Sequence, residues 1–490
     1  IDGYGGERFR IPLSAASPRT YLANANYAYG AVDGHLLVLS MGMHVVAIDT
    51  LQETMDTLRQ AKAPWKNVLW SRQLVSGVPG IVRASSLRAR RINIPGKLPR
   101  YRAEDGRGRP VGLLGPILET GITLLRSDEV ICIDPRSGET VWTHKGISAG
   151  GELFGDRQRL FVVPPSQGES TVEAVVLDPV DGSRIGTRRI APGRRARHHR
   201  IATLGSRMLE WAQVDAAMEL ALRDPWEKET VWSHRFSRRA QIWLLDNDTA
   251  GIMEPSGHFV LIRLADGNEQ IDRMLTPEPH LEKIYLLRSR DQVFLITSQP
   301  PPRDSKRHRV SPVPGGFDDP LITGRLYAFD RQRGTLQWPV PVTLLRRGVQ
   351  LSQPADLPVL TLVQQVIRPE RKSQRTTLSV ICLDKRTGRP LIDLSDLPRG
   401  SEVFRIDGDP AQQTVTLTLP ARRLTMTFTD RPIPPGPPLQ DGVETAAAQQ
   451  TGLSILGAIP RSLIKAAGGG DPFDNRPPAG DPVEDPDDDD

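Results

Sequence analysis

The chain lacks the residues on which several kinds of chemistry depend. Its 490 residues include only two cysteines, Cys132 and Cys382, and there is no Cys-Cys pair. The nucleophile elbow Gly-x-Ser-x-Gly, the phosphate-binding Gly-x-x-x-x-Gly-Lys and the zinc motif His-Glu-x-x-His are all missing. No apolar run approaches the roughly 20 residues of a membrane-spanning helix. The sequence therefore gives no sign of the hydrolases, nucleotide-binding enzymes and metalloproteases that carry these motifs, or of a transmembrane segment.

The composition favours an all-β chain. Aromatic residues make up 5% and hydrophobic residues 38%, whereas glycine and proline number 43 each. Such a high content of turn formers is typical of many short strands and argues against long helices. We expect one large domain followed by a tail, because repeat folds exceed the usual domain size when each repeat has its own small core.

One short sequence phrase recurs along the chain. Its clearest copy is Val130 to Trp142, in which an apolar strand runs into Asp134-Pro135-Arg136-Ser137-Gly138 and a second strand follows. Proline presets φ at the second turn position and glycine accepts a positive φ, so each copy encodes a β-hairpin. The residues shared by the copies are Asp134, Gly138 and Trp142; Asp178 and Gly182; Asp224 and Trp232; Asp330, Gly334 and Trp338; and Asp384 and Gly388.

The tryptophans keep a fixed distance from the aspartates. Trp142, Trp232 and Trp338 each stand eight residues after the turn aspartate of their copy. A fixed offset returns one side chain to one structural place, and a large ring is best used at the seam between neighbouring sheets. Weaker copies at Asp49 and Arg263 and a last hairpin from Thr414 to Phe428 bring the count to eight units.

The phrase resembles the repeat of pyrroloquinoline-quinone (PQQ)-like β-propellers, over roughly residues 27 to 430. This family contains quinoprotein alcohol dehydrogenases and the propeller lipoprotein of the outer-membrane assembly machinery, so it includes both enzymes and scaffolds. The resemblance implies an all-β propeller of eight blades, with seven as the alternative, and with helix- and loop-containing insertions. A strand from Glu7 to Leu13 is expected to close the ring, and a short helix is expected from Leu51 to Ala61.

An enzymatic reading of the resemblance would need PQQ in the centre, a calcium ion and a carboxylate base. Many dehydrogenases of the family also stack the quinone on a disulfide of adjacent cysteines, which this chain lacks. The recurrent aspartates are explained as turn formers and the tryptophans as packing residues. We therefore assign no catalytic, cofactor-binding or metal-binding residue, and keep a PQQ and Ca²⁺-dependent oxidoreductase as the alternative.

The tail differs from the rest of the chain. We expect the propeller to occupy residues 1–430, and residues 431–490 to be a Pro-rich linker, a weak helix and a disordered acidic end. The segment from Gly468 to Asp490 has nine acidic residues and one arginine, so the remaining chain is more basic than the net charge of +5. Because the chain begins with Ile1, we expect a processed or excised piece of a longer protein.

Basic insertions are the best candidates for binding a partner. The candidate residues are Arg83, Arg88, Arg90, Arg91, Lys97, Arg100, Tyr101 and Arg102 in one insertion, and Arg303, Lys306, Arg307 and Arg309 in another. Both insertions are expected to project from the ring and to attract an acidic or envelope-associated protein. Tyr101 is the one aromatic residue in the first insertion, which is too few for base stacking and disfavours nucleic acid.

Two smaller features are interpreted without a ligand. A third basic cluster, from Arg194 to Arg200, contains the adjacent His198 and His199, which make a poor metal pair because neighbouring strand residues face opposite ways. Cys132 and Cys382 occupy the same place in two repeats and are expected to be free thiols.

The sequence thus predicts a non-catalytic scaffold for protein–protein interaction. The family resemblance places it in a bacterial cell envelope or periplasm. Besides the quinoprotein alternative, a module that binds polysaccharide or a small ligand in the central funnel remains open.

Overall fold

The computed structural model of the protein describes residues 28–41, 44–51, 68–73, 88–92, 94–97, 100–104, 113–126, 128–148, 151–165, 171–191, 194–195, 198–301, 309–311, 320–351, 353–369, 374–398, 405–419 and 422–428. The chain divides into two compact units, residues 1–431 and residues 432–490. All the described residues lie in the first unit, and the regular elements among them are all strands.

The first half of the described chain forms four sheets and a separate two-stranded ribbon. In sheet 1 the strands are β1 (Ala28–Asp33), β2 (Leu36–Met41), β3 (His44–Asp49) and β4 (Val68–Gln73). The ribbon consists of β5 (Arg88–Ile92) and β6 (Arg100–Glu104). Sheet 2 contains β7 (Leu113–Leu118), β8 (Gly121–Arg126), β9 (Glu129–Ile133) and β10 (Thr140–Lys145). Sheet 3 contains β11 (Glu152–Gly155), β12 (Leu160–Val163), β13 (Val172–Leu177) and β14 (Arg184–Ile190). Sheet 4 contains β15 (Arg194–Arg195), β16 (His198–Leu204), β17 (Arg207–Val214), β18 (Ala217–Asp224) and β19 (Glu229–Ser237).

The second half forms four more sheets. Sheet 5 contains β20 (Gln241–Leu244), β21 (Thr249–Met253), β22 (His258–Arg263) and β23 (Glu269–Met274). Sheets 6 and 7 are built from β24 (Lys283–Arg288), β25 (Gln292–Ser298), β26 (Arg309–Ser311), β27 (Leu321–Asp330), β28 (Val342–Gly348), β29 (Val359–Pro369), β30 (Gln374–Asp384) and β31 (Pro390–Pro398). Sheet 6 pairs in the order β24-β25-β27-β28, and sheet 7 in the order β26-β29-β30-β31. Sheet 8 contains β32 (Arg405–Asp409), β33 (Thr414–Leu419) and β34 (Arg422–Thr427).

Each sheet is an antiparallel meander that packs on the next one along the chain. A buried apolar cluster fills every seam from sheets 1 and 2 to sheets 7 and 8. First strands of successive sheets also approach each other, as β7 does β11, β11 does β16 and β20 does β24. The core is therefore divided into slabs between sheets, as expected for a repeat fold in which each unit contacts its neighbours.

The repeated phrase has one structural meaning. In sheets 2, 3, 5, 6 and 7 it forms the turn from the third to the fourth strand in the pairing order, and in sheet 4 it forms the turn from β18 to β19; Asp134, for example, follows β9, and the next strand is β10. A β-bulge follows this turn in sheet 2, where the register shifts between Thr140 and Trp142. The predicted all-β propeller fold is confirmed for the first unit by its consecutive four-stranded sheets.

Several expectations fall on residues outside the described ranges. These are the closing strand at residues 7–13, the helix at residues 51–61 beyond Leu51, and everything predicted for residues 431–490. The hairpin predicted from Thr414 to Phe428 is confirmed by the pairing of β33 with β34.

Candidate interaction site

The carboxylates of the turn aspartates accept hydrogen bonds from the backbone. Oδ1 of Asp134 accepts the N–H groups of Arg136 and Ser137, both at 2.8 Å, and the Asp134 carbonyl accepts the N–H of Gly138 at 2.9 Å. The backbone N–H groups of Ser137 and then Arg136 lower the pKa of Asp134. Asp330 repeats the pattern with Gln332 and Arg333. An aspartate held in this way acts as a turn former, because its Oδ1 accepts the N–H groups of the turn.

The tryptophans lock neighbouring sheets together. Trp142 of sheet 2 donates its Nε1–H to the carbonyl of Pro179 in the turn of sheet 3, at 3.1 Å. Its ring lies where a side chain on Gly182 would be. Trp70, Trp232 and Trp338 make the same pair of contacts with the next sheet. Each lock thus combines one ring on a strand with one glycine of positive φ on the facing turn, which only glycine adopts without strain.

The seam between sheets 3 and 4 has an inverted lock, in which the glycine is on the strand and the ring is on the facing turn. Gly186 stands eight residues after Asp178, where the other repeats place tryptophan, and Lys228 stands in the glycine place of the facing turn with φ of 60°. The ring comes from the turn instead, because a side chain on Gly186 would lie 3.7 Å from Trp226. The guanidinium carbons of Arg188 and Arg159 lie 3.7 and 4.7 Å from the centre of the Trp226 ring.

The same seam contains a layer of charged side chains. Glu210 Oε2 lies 3.1 Å from His198 Nε2 and 3.0 Å from Arg223 Nε, while Arg223 Nη2 lies 2.7 Å from Glu219 Oε1. The side chains of Glu210 and Glu219 are 8% and 10% exposed. Buried carboxylates of this kind persist only when cations neutralise them. This layer could not be predicted from the sequence, because alternating charged residues on a strand usually indicate a solvent-facing side.

A cleft of about 350 Å³ opens near this seam. Residues from sheets 3, 4 and 5 line it, among them Asp156, Arg159, Ser206, Arg207 and Asp224. Burial alone would raise the pKa of Asp156, but hydrogen bonds from Ser206 and from the N–H groups of Gln158 and Arg159 lower it overall. Asp224 likewise accepts the N–H groups of Trp226 and Glu227. Both carboxylates of the cleft are therefore engaged in turns.

The first basic insertion is a β-ribbon. Its register pairs Arg88 with Glu104, Arg90 with Arg102 and Ile92 with Arg100. Successive residues of a strand alternate between two faces, so positions 88, 90, 100 and 102 belong to one face of the ribbon. The same face includes position 104, where Glu104 stands opposite Arg88, and position 92, where Ile92 stands opposite Arg100. It therefore carries four arginine positions and one glutamate position.

The turn of this ribbon is anchored on sheet 5. Gly96 forms a parallel bridge with Trp243 of β20, and the N–H of Leu244 donates to the Gly96 carbonyl at 2.7 Å. Gly96 is buried and has φ of 74°, and Ile94 packs against the apolar cluster between sheets 4 and 5. The expectation that the whole insertion projects from the ring is wrong for its turn, because backbone pairing with an open sheet edge holds residues 94–97 against β20.

The second basic insertion also returns to a sheet. Arg309, Val310 and Ser311 form β26, which pairs with Ile367, Val366 and Gln365 of β29. A segment between two strands of sheet 6 thus adds an edge strand to sheet 7. Arg303, Lys306 and Arg307 lie outside the described residues, as does Arg83. The third basic cluster, expected in a connection between blades, instead forms β15 and the start of β16 in sheet 4.

Other titratable groups are buried without a catalytic arrangement around them. Both cysteines are free, as expected, and burial raises their pKa values to about 11. Lys385, in the turn of sheet 7, donates to the carbonyl of Ala355 at 2.8 Å and lies 3.4 Å from Ser289 Oγ. Burial lowers the pKa of Lys385 to about 8. Within the described ranges, no group of three metal-ligating side chains converges and no helix is long and apolar enough to span a membrane.

Comparisons with known proteins found similarity to solved structures only at low identity. No family model and no curated protein sequence matches it. Among solved structures, it is similar to BamB from Moraxella catarrhalis, at 13% identity and a TM-score of 0.32, over 83% of this chain and 95% of that one. It is also similar to the quinohemoprotein alcohol dehydrogenase from Comamonas testosteroni, at 11% identity and a TM-score of 0.36, over 81% and 70% of the two chains. A europium-containing methanol dehydrogenase matches at 9% identity and a TM-score of 0.34, over 79% and 81%.

Proposed function

We propose that the protein is a non-catalytic β-propeller scaffold that binds an acidic protein partner in the bacterial cell envelope. The observation that carries this proposal is the β5–β6 ribbon, which gathers four arginine positions on one face and is fixed at its turn to sheet 5. The envelope location is inferred from the resemblance of the repeat phrase. The acidic character of the partner follows from the charge of the ribbon.

Anchoring gives the ribbon a physical advantage as a binding element. An isolated two-stranded hairpin is marginally stable in water. Pairing of Gly96 with β20 supplies a backbone hydrogen bond and buries the turn, so less ordering is left to the moment of binding. Preorganised elements lose less conformational entropy when a partner binds. Acidic side chains of the partner then face arginine positions that the paired strands already bring together.

The repeat residues support a structural rather than a chemical use of the rest of the ring. Asp134 and Asp330 are held by backbone N–H groups, and Trp142 and Trp338 by the next sheet. The residues that recur most regularly are thus committed to turns and seams. The insertions are the parts in which this chain departs from its own repeat, and loops on a rigid scaffold are where binding residues concentrate.

The experiment is a titration of the full chain with a fluorescent Asp/Glu-rich peptide, read by anisotropy. Arg90→Glu with Arg102→Glu is expected to weaken binding by about tenfold or more, since each reversed charge turns an attraction into a repulsion. Arg238→Glu with Arg239→Glu makes the same change in net charge at two exposed residues outside the ribbon and is the matched control. Binding by the unaltered chain should weaken as salt rises.

Equal loss in the ribbon and control variants would reduce the effect to net charge and contradict the proposal. Unchanged binding in the ribbon variant would also contradict it. If the unaltered chain instead ignores the peptide but binds PQQ with Ca²⁺, seen as a saturable change in quinone absorbance, the scaffold assignment is wrong and the quinoprotein alternative takes its place.

A further inference from the structure

Two basic segments that are far apart in sequence meet at neighbouring sheet edges. Strand β15 pairs with the start of β16, which puts Arg194 opposite His199 and Arg195 opposite His198 at the first-strand edge of sheet 4. The turn of the arginine-rich β5–β6 ribbon lies on β20, the first strand of sheet 5, and Ile94 joins the cluster between sheets 4 and 5. The fold therefore concentrates positive charge at the first-strand edges of two adjacent sheets.

Arg200 lies beneath this charged edge. It follows directly after the His198-His199 pair in β16, and its side chain is only 3% exposed. None of its nitrogens Nε, Nη1 and Nη2 has a hydrogen-bond partner. A guanidinium carries five N–H donors, and burying charged donors without acceptors is unfavourable. The packing of Arg200 over the Phe154 ring, at 5.1 Å, compensates only part of that cost.

The half-exposed carboxylate of Glu152 lies where a ligand of Arg200 would bind. Glu152 Oε2 lies 3.2 Å from Arg200 Nη2, which is close enough for an ion pair, although the geometry does not make a hydrogen bond. The Glu152 side chain is 52% exposed, so it can leave this place at little cost. Glu210 faces Arg200 in the register, but its Oε2 already lies 3.1 Å from His198 Nε2 and 3.0 Å from Arg223 Nε. His198 adds one more buried nitrogen without a partner, Nδ1.

We infer that Arg200 and His198 form a binding site for an oxyanion, a carboxylate or phosphate group that enters between β11 and β16 and displaces Glu152. Two oxygens of a carboxylate or of a phosphate group match the fork of a guanidinium with two parallel hydrogen bonds. The bound group satisfies donors that are otherwise buried without acceptors. The positive edge formed by β15 and the ribbon raises the local concentration of anions. This site is separate from the arginine face of the ribbon and does not depend on a protein partner.

The first test measures the thermal midpoint of the full chain in inorganic phosphate and in glutarate, each compared with chloride at equal ionic strength. The unaltered protein should be stabilised in a saturable way by at least one of the two, because a ligand that binds only the folded state raises the midpoint. Arg200→Met keeps a long side chain in the apolar seam but removes every donor, and it should abolish the rise. Arg235→Met removes an exposed arginine from the far end of the same charged layer and should leave the rise intact.

A second variant separates ligand binding from general charge. Glu152→Gln removes the competing carboxylate and is expected to tighten binding of the same anion about tenfold, because the site no longer has to release an ion pair. A carboxylate-specific site responds to glutarate alone, and a phosphate-specific site to phosphate alone. Absence of any specific rise in the unaltered protein, or a rise that persists in Arg200→Met, would overturn the inference. Weaker binding in Glu152→Gln would do so too, since Glu152 would then be a ligand-binding residue and not a stand-in.

Discussion

Two seams differ in which side supplies the tryptophan ring that fills the space between the sheets. They are the seam between sheets 6 and 7 and the seam between sheets 3 and 4. In the first, Trp338 on the strand side covers Gly388 on the turn side and donates to the carbonyl of Lys385 at 3.0 Å. In the second, Trp226 comes from the turn and Gly186 from the strand. Glycine thus stands in the tryptophan place of the strand, and the ring comes from the facing turn, where Lys228 stands in the glycine place.

The surroundings of the two rings differ as well. Trp338 is 1% exposed and its indole N–H is satisfied across the seam, so it belongs to a dry apolar cluster. Trp226 is only partly buried and lies beneath Arg188 and Arg159, beside a layer of buried carboxylates and arginines. A propeller tolerates a divergent seam because each sheet contacts only its neighbours. The divergent seam is therefore the place where binding features can accumulate without disturbing the others.

The largest expected effect comes from removing the ring of a regular lock. Trp338→Ala should lower the free energy of unfolding by about 3 to 5 kcal/mol, because it leaves a large cavity and an unused carbonyl. Urea denaturation followed by circular dichroism measures the change. Leu336→Ala, two residues earlier at a 42% exposed side chain, is the control and should cost little. A similar midpoint for both variants would show that the lock contributes no more than surface packing.

The second largest effect is expected from replacing the glycines of the locks, because the cost of Gly→Ala should differ between the regular and the inverted lock. A side chain on Gly138 would lie 2.6 Å from Trp70 at φ of 73°, so Gly138→Ala should destabilise by about 2 to 4 kcal/mol through both clash and strain. Gly146→Ala has φ of 83° but open space around it and measures the strain alone, about 1 kcal/mol. Gly186→Ala meets only an ordinary contact with Trp226 and should be close to neutral. A cost at Gly186 equal to that at Gly138 would contradict the inversion.

Lys385 gives the regular seam between sheets 6 and 7 a dependence on pH. Its pKa is about 8 in the folded protein against 10.5 for an ordinary lysine. Between these values the unfolded chain binds more protons, so this group makes the protein more stable as pH rises from about 8 to about 10.5. The raised pKa values of Cys132 and Cys382 act in the opposite direction above pH 9, because the unfolded thiols ionise first.

The measurement is therefore a difference between two proteins. From about pH 7.5 to about pH 9, the free energy of unfolding of the unaltered chain should gain about 1 kcal/mol relative to that of Lys385→Met. Chemical denaturation at each pH gives both curves. Parallel curves would mean that Lys385 titrates as an exposed lysine does.

The fold was predictable because its signals are local and repeated. Asp134 and Gly138 predict a turn from the sequence alone. The constant spacing from the turn aspartate to the tryptophan, as from Asp134 to Trp142, predicts that the ring always occupies the same place, the seam between sheets. The inverted lock had a readable signal as well: glycine at position 186, where the repeat calls for tryptophan, and an extra tryptophan at position 226. It could be interpreted only once the facing turn was known.

The candidate sites were predictable only in part. A basic insertion around Arg90 is visible in the sequence, but the pairing of Gly96 with Trp243 joins residues almost 150 positions apart and leaves no periodic trace. The burial of Arg200 is likewise hidden, because a run of arginine and histidine reads as a solvated surface. Long-range contacts decided both features, and local sequence patterns do not encode them.

The smallest expected effect sharpens the comparison at the divergent seam itself. Arg188→Met removes the guanidinium that lies 3.7 Å from the centre of the Trp226 ring and the hydrogen bond from Arg188 Nε to the Trp226 carbonyl at 3.2 Å. A half-buried cation–π contact with one hydrogen bond is worth about 1 kcal/mol, so urea denaturation should show a loss of that size. Arg189→Met, at the exposed neighbouring residue, should show almost none. Equal and negligible losses would mean that Trp226 is held by its contact with Gly186 alone, and that the inverted lock works without the arginines around it.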